Sequence, residues 1–176
     1  MFSRTRHREL SLKKAAPGVG DALELAAGPR RFGTNVARSA SGDTAEGISL
    51  IEDGIEDTRA TGSTLMVPLF LALKAEALHL GDRTSEALEA IREAEALAEK
   101  FEGRWWSAEL HRLRGVFLTA MGADDTQIEA SFCAAIGTAK KQNSTSLARR
   151  AEATYAEYRR QKASGSGGRG FRLPLW

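Results

Sequence analysis

Residues 81–94 read GDRTSEALEAIREA and contain the pattern that decides the fold. The Gly-Asp pair that opens this stretch also occurs at residues 42–43 and, with one residue between, at 122–124. An amphipathic segment follows each occurrence. Within these segments Ile51, Ile91 and Phe132 are spaced by 40 and 41 residues. Because a period in this range is typical of stacked helical hairpins, the sequence predicts an array of helical repeats.

The segments between these helices repeat at the same period. Phe70 and Leu73 recur as Leu110 and Leu113, and the small residue Ala75 recurs as Gly115, which would let a paired helix approach closely. The apolar spacing predicts six helices and no convincing strand. We place the helices at residues 44–60, 64–80, 84–102, 105–121, 126–141 and 145–161. The predicted fold is all-α, a short α-solenoid of about two and a half hairpins plus a final helix.

The helix starts are marked by capping residues. Asp43 and Asp82 stand where an N-cap is expected, and Thr126-x-x-Glu129 has the form of a capping box. Pro68 is tolerable only in the first turn of its helix. The helix that would precede residue 42 is missing, so the apolar stripe of helix 44–60 is expected to be partly uncovered. We therefore expect self-association through the exposed N-terminal end of the array.

Composition divides the chain into three regions. Residues 1–40 have no sustained period and are predicted to be a poorly ordered basic leader, residues 41–163 a helical-repeat domain, and residues 164–176 a flexible tail rich in glycine. The formal charge is −9 over residues 43–103 and +6 over residues 104–176. This asymmetry indicates either steering of a partner or ordinary solvated helix faces.

The sequence favours a cytoplasmic location. Cys133 is the only cysteine, so an internal disulfide is impossible and a reducing compartment is expected. The longest uncharged apolar run, residues 65–73, is far shorter than the ~20 residues that a membrane span needs. The N-terminus is basic but has no apolar core of a secretory signal.

The chain also resembles a known family. Residues 59–63 (RATGS), 70–77 (FLALKAEA) and especially 103–115 (GRWWSAELHRLRG) are similar to tetratricopeptide-like (TPR-like) repeats in multidomain bacterial signalling proteins. Residues 151–160 and 171–176 are similar to the ends of some rhizobial members. These proteins join a class III adenylate or guanylate cyclase domain to an AAA-type ATPase domain and helical repeats. The resemblance implies a regulatory or scaffolding region whose partners are a protein or sister cyclase and ATPase domains.

No catalytic or cofactor site is predicted. The stretch from Gly28 to Gly33 has the glycine spacing of a P-loop without its lysine, and the GxGxxG match that begins at Gly165 follows a helix rather than a strand. The three histidines are far apart in sequence. Cys133 is predicted to lie on an apolar helix face, where a free cysteine behaves as a small hydrophobe. We therefore expect no enzyme activity, no cofactor and no metal.

The candidate binding residues lie on the first helix of each hairpin. That helix lines the concave surface of a solenoid, and the polar residues expected to be exposed there are Glu76, His79, Glu109 and Arg112. Consecutive residues on a helix point about 100° apart. Of Trp105 and Trp106, one ring is therefore expected to close the junction between hairpins and the other to be partly exposed. The exposed ring is a candidate anchor for a partner, although packing of both rings is favoured.

The residues thus predict a non-catalytic module for protein–protein interaction. One alternative is that the chain is a functional part of a nucleotide cyclase whose catalytic domains lie on another chain. A second alternative is a nucleic-acid accessory protein that uses its basic C-terminal end, although a solvated face is the better interpretation of that end.

Overall fold

The computed structural model describes residues 44–62, 64–100 and 104–164, and within these ranges it contains helices and no strand. The α-helices are α1 (Thr44–Ala60), α2 (Val67–Leu80), α3 (Thr84–Lys100), α4 (Ser107–Ala120), α5 (Asp125–Lys141) and α6 (Thr145–Ala163). A 3₁₀ turn, Arg104–Trp106, precedes α4. The predicted all-α class is confirmed. The predicted leader at residues 1–40, the first Gly-Asp pair and the tail beyond Ser164 lie outside the described residues.

The helix starts follow the local sequence, with two corrections. Helix α2 begins at Val67 rather than at residue 64, which places Pro68 in the first turn, where its missing N–H costs no hydrogen bond. Helix α5 is capped by Asp124, whose carboxylate accepts a hydrogen bond from the Thr126 amide at 2.9 Å. Thr126 therefore lies inside the helix, and the capping box predicted at Thr126 is wrong.

Three helices end in turns of the same type. The residues that follow the caps of α2, α4 and α5 have positive φ, with 59° at Asp82, 67° at Gly122 and 54° at Asn143. At each turn the next amide donates to the carbonyl five residues earlier, at 2.9 Å from Arg83 to Leu78 and at 3.0 Å in the other two turns. This hydrogen bond defines a Schellman motif, which ends a helix sharply.

The turns also correct the predicted role of the Gly-Asp pair. Asp82 occupies the left-handed position of a helix end, so it is not the N-cap of α3, which begins at Thr84. In the register of the turns, Gly122 corresponds to Asp82 rather than to Gly81. One additional residue then precedes α5, which explains why the spacing of the repeat changes from 40 to 41 residues.

The helices pack in an ordered pattern. Each helix contacts the next along the chain, and α2, α4 and α6 also contact one another in that order. The repeat positions Ile51, Ile91 and Phe132 are completely buried. A Cβ added at Gly115 would lie 2.8 Å from the ring of Phe132, so only glycine permits the approach of α4 to α5. The packing is consistent with stacked hairpins.

Two predictions about apolar residues are wrong. The stripe of Ile48, Ile51 and Ile55 on α1 is buried rather than partly uncovered. Cys133 is exposed, although Phe132 beside it is buried, because the two side chains point to different faces of α5. Within the part of the chain that the structure describes, no helix is long and apolar enough to cross a membrane.

Candidate interaction site

Three of the predicted binding residues form a buried ion cluster. Arg112 donates from Nε to both carboxylate oxygens of Glu109 at 3.1 Å, and from Nη2 to Glu109 Oε1 at 2.6 Å. Its Nη2 also lies 3.7 Å from Oε1 of Glu76 on α2. Arg150 of α6 donates to Glu109 Oε1 at 3.4 Å. We call these four residues the buried charge cluster, and they join α2, α4 and α6.

The exposure predicted for Glu76, Glu109 and Arg112 is wrong. Their exposed fractions are only 4%, 3% and 2%, because α2, α4 and α6 close against one another at these positions instead of leaving an open concave surface. Although burial by itself would lower the pKa of Arg112, the carboxylates of Glu109 and Glu76 raise it, so the guanidinium stays charged. Such a group requires its partners, since an unpaired charge in this position is costly.

His79, near the end of α2, contacts two neighbouring helices instead of lying on an open surface. Its ring lies 5.0 Å from the ring of Phe117, and its Nδ1 is 2.9 Å from Oγ1 of Thr84. Burial lowers the pKa of His79, and Asp82 opposes this only in part. This environment therefore favours the neutral form of the imidazole.

The adjacent tryptophans divide between core and surface, which is the alternative to the favoured packing of both rings. Trp106 is buried at 7% exposure, whereas Trp105 is 42% exposed. Leu65, which lies forty residues before Trp105, is also exposed. Beside Trp105, the side-chain amide of Gln142 donates to the backbone carbonyl of Arg104, which ties this corner to the end of α5. Trp105 is thus the one predicted site residue that presents a large apolar surface to solvent.

A second ion cluster, not anticipated from the sequence, joins α5 to α6. The Tyr158 hydroxyl donates to Asp125 Oδ1 at 2.6 Å, and Lys162 Nζ lies 2.9 Å from Asp125 Oδ2 and 3.3 Å from Glu129. Burial and the hydrogen bond to Asp125 raise the pKa of Tyr158 to about 12. We call Asp125, Glu129, Tyr158 and Lys162 the surface charge cluster. Its partners are 33 residues or more apart, so no local sequence pattern reveals them.

The described part of the chain contains no evident metal site. Within residues 44–62, 64–100 and 104–164, no group of three or more His, Cys, Asp or Glu side chains is arranged to hold a metal ion.

Comparison with known proteins shows similarity to part of a longer bacterial protein. The chain is similar to an uncharacterized protein of Rhizobium meliloti (strain 1021), with 29% identity over 113 residues. The match covers 64% of this chain and 11% of the relative, so it concerns a small part of a much longer protein. No protein-family model matches the chain, and no solved structure matches it significantly.

Proposed function

We propose that this chain is a TPR-like α-solenoid that binds a protein partner and does not catalyse a reaction. The observation that supports this proposal is the packing of α2, α4 and α6 in order, combined with equivalent turns after α2 and α4 at a spacing of forty residues. Arrays of this kind expose long surfaces, and they act by docking against complementary shapes.

The proposed contact surface is centred on Trp105. Three of the six residues predicted to bind are enclosed in the buried charge cluster, so they maintain the stack instead of touching a partner. Trp105 combines a large ring with 42% exposure. Tryptophan is enriched at the residues that dominate binding energy in protein interfaces.

The proposed partners are cyclase or ATPase domains of a cytoplasmic signalling protein. The likeness of residues 103–115 to repeats of that family supports this proposal. The alternative, that the chain completes a cyclase whose catalytic domains lie on another chain, uses the same surface. ATP turnover by the purified chain alone would contradict both versions.

A binding experiment with matched variants tests the proposal. The full chain would be mixed with separately expressed cyclase and ATPase domains, and affinity measured by calorimetry. Trp105→Ala should weaken binding by about tenfold or more, since loss of a hot-spot residue costs about 2 kcal/mol or more and about 1.4 kcal/mol is already tenfold. The control is Met121→Ala, because Met121 is 52% exposed at the opposite end of α4. No binding to either domain, or equal losses in both variants, would overturn the proposal.

A further inference from the structure

A groove lies where α5 ends and α6 begins. Its volume is about 540 Å³, and it opens to solvent. The polar and charged residues that line it are Lys140, Asn143, Ser144, Thr145, Arg149 and Glu152. None of the residues that line it belongs to either charge cluster.

The start of α6 within this groove lacks a side-chain cap. Ser144 occupies the N-cap position, yet its hydroxyl makes no hydrogen bond to the helix. Ser144 is only 4% exposed, and its hydroxyl is buried without a hydrogen-bond partner in the described part of the chain. At the start of α5, in contrast, the Asp124 carboxylate accepts a hydrogen bond from the helix. The first turn of α6 also contains no acidic residue, so its positive end is not neutralised.

Two cations flank this helix end. Arg149 is exposed and makes no ion pair with another described residue. Lys140 Nζ lies 2.9 Å from Glu152 Oε1, so the only carboxylate of the lining is already paired. The lining therefore has a net positive charge in addition to the unsatisfied amides of the first helical turn.

We propose that the groove binds a phosphate-type oxyanion. The amides of Thr145 and Ser146 and the hydroxyl of Ser144 donate hydrogen bonds to its oxygens, and Arg149 balances its charge, since Lys140 is already paired with Glu152. Helix N-termini favour anions because their free N–H groups and the helix dipole act together. The buried hydroxyl is the independent observation, since an unsatisfied polar group in this position gains a partner when an anion binds.

The test uses inorganic phosphate and the full chain in solution. Amide resonances of residues 145–147 would be followed during a phosphate titration at constant ionic strength, with chloride as the balancing ion. We expect saturable shifts that Arg149→Gln weakens by about fivefold or more. Lys141→Gln is the matched control, because Lys141 is exposed at the same end of α5 but does not line the groove. Equal weakening by both variants would show a diffuse ion atmosphere and overturn the proposal.

A second variant keeps the test independent of Arg149. Ser144→Asp places a carboxylate at the N-cap, where it would accept the amide hydrogen bonds itself. It should raise the melting temperature and abolish the phosphate-dependent shifts. A variant that still responds fully to phosphate would overturn the proposal.

Parallel titrations distinguish the sources of the oxyanion. Saturation by inorganic phosphate and by a phosphoserine peptide with equal affinity would identify free phosphate as the ligand. At least tenfold tighter binding of the phosphopeptide would identify a phosphorylated protein. An absence of shifts with both probes would overturn the proposal.

Discussion

The two charge clusters use similar residues in opposite surroundings. The buried charge cluster encloses Arg112 and Glu109 almost completely, whereas in the surface charge cluster Asp125 and Lys162 remain about half exposed. Removal of charges from water costs several kcal/mol per ion, and the cost is recovered only if every partner is present. The same ion pair at a surface is worth little. The stability of the stack therefore depends on the buried charge cluster, although the sequence predicts exposure for three of its residues.

The substitution Arg112→Met should have the largest effect. It leaves Glu109, and Glu76 beside it, without their shared guanidinium in a buried position, so we expect a loss of about 3–5 kcal/mol in the free energy of unfolding. Urea denaturation followed by circular dichroism measures it.

A triple variant separates pairing from burial. Glu76→Leu, Glu109→Leu and Arg112→Met together remove the buried charges, and most of the lost stability should return. If Arg112→Met alone costs less than about 1 kcal/mol, the cluster is solvated and behaves like a surface ion pair.

The second prediction concerns the apolar contact between the two clusters. Phe132 packs against Gly115 of α4, and its ring lies 5.7 Å from that of Tyr158. A methyl group at position 115 would overlap Phe132, so Gly115→Ala should cost about 1–3 kcal/mol. Gly137→Ala is the control, because a Cβ there meets nothing within 4 Å. Equal stability of the two variants would contradict the close approach of α4 to α5.

These buried apolar contacts could be predicted from the sequence. The burial of Ile51, Ile91 and Phe132 follows from period and residue type, and the pairing of small Gly115 with a large neighbour follows from the repeat. Each depends on a regular spacing that local physics enforces. The angular offset of Trp105 and Trp106 permits their division between surface and core, but residue type favours packing of both rings, so the exposure of Trp105 was only the second choice.

The contacts of the charged residues could not be predicted in the same way. Residue type favours solvent for Glu76 and Arg112, and only the approach of α2 to α4 reverses that preference. The contact from Glu109 to Arg150 spans 41 residues and depends on how two helices cross. The role of Asp82 was missed for a different reason, because Asp serves both as an N-cap and in left-handed turns, and only the backbone distinguishes them.

The third prediction concerns the surface charge cluster. Tyr158→Phe removes the hydroxyl that donates to Asp125 and should cost roughly 1 kcal/mol. Because the pKa of Tyr158 is raised to about 12 from the ordinary tyrosine value of 10.0, the unfolded chain loses this proton first as the pH rises. The wild type should therefore lose this contribution between about pH 10 and pH 12, and the variant should not. Parallel pH profiles of the two proteins would contradict the link between α5 and α6.

The smallest effect is expected for Lys162→Gln. Lys162 pairs with Asp125 and Glu129, but all three side chains are roughly half exposed, so water and salt already screen the charges. The melting temperature should fall by no more than ~2 °C at low ionic strength and by less in 0.5 M salt. Arg112→Met should retain most of its much larger loss at the same salt concentration, because ions do not reach a buried pair. Equal salt sensitivity of the two variants would mean that burial does not distinguish the clusters.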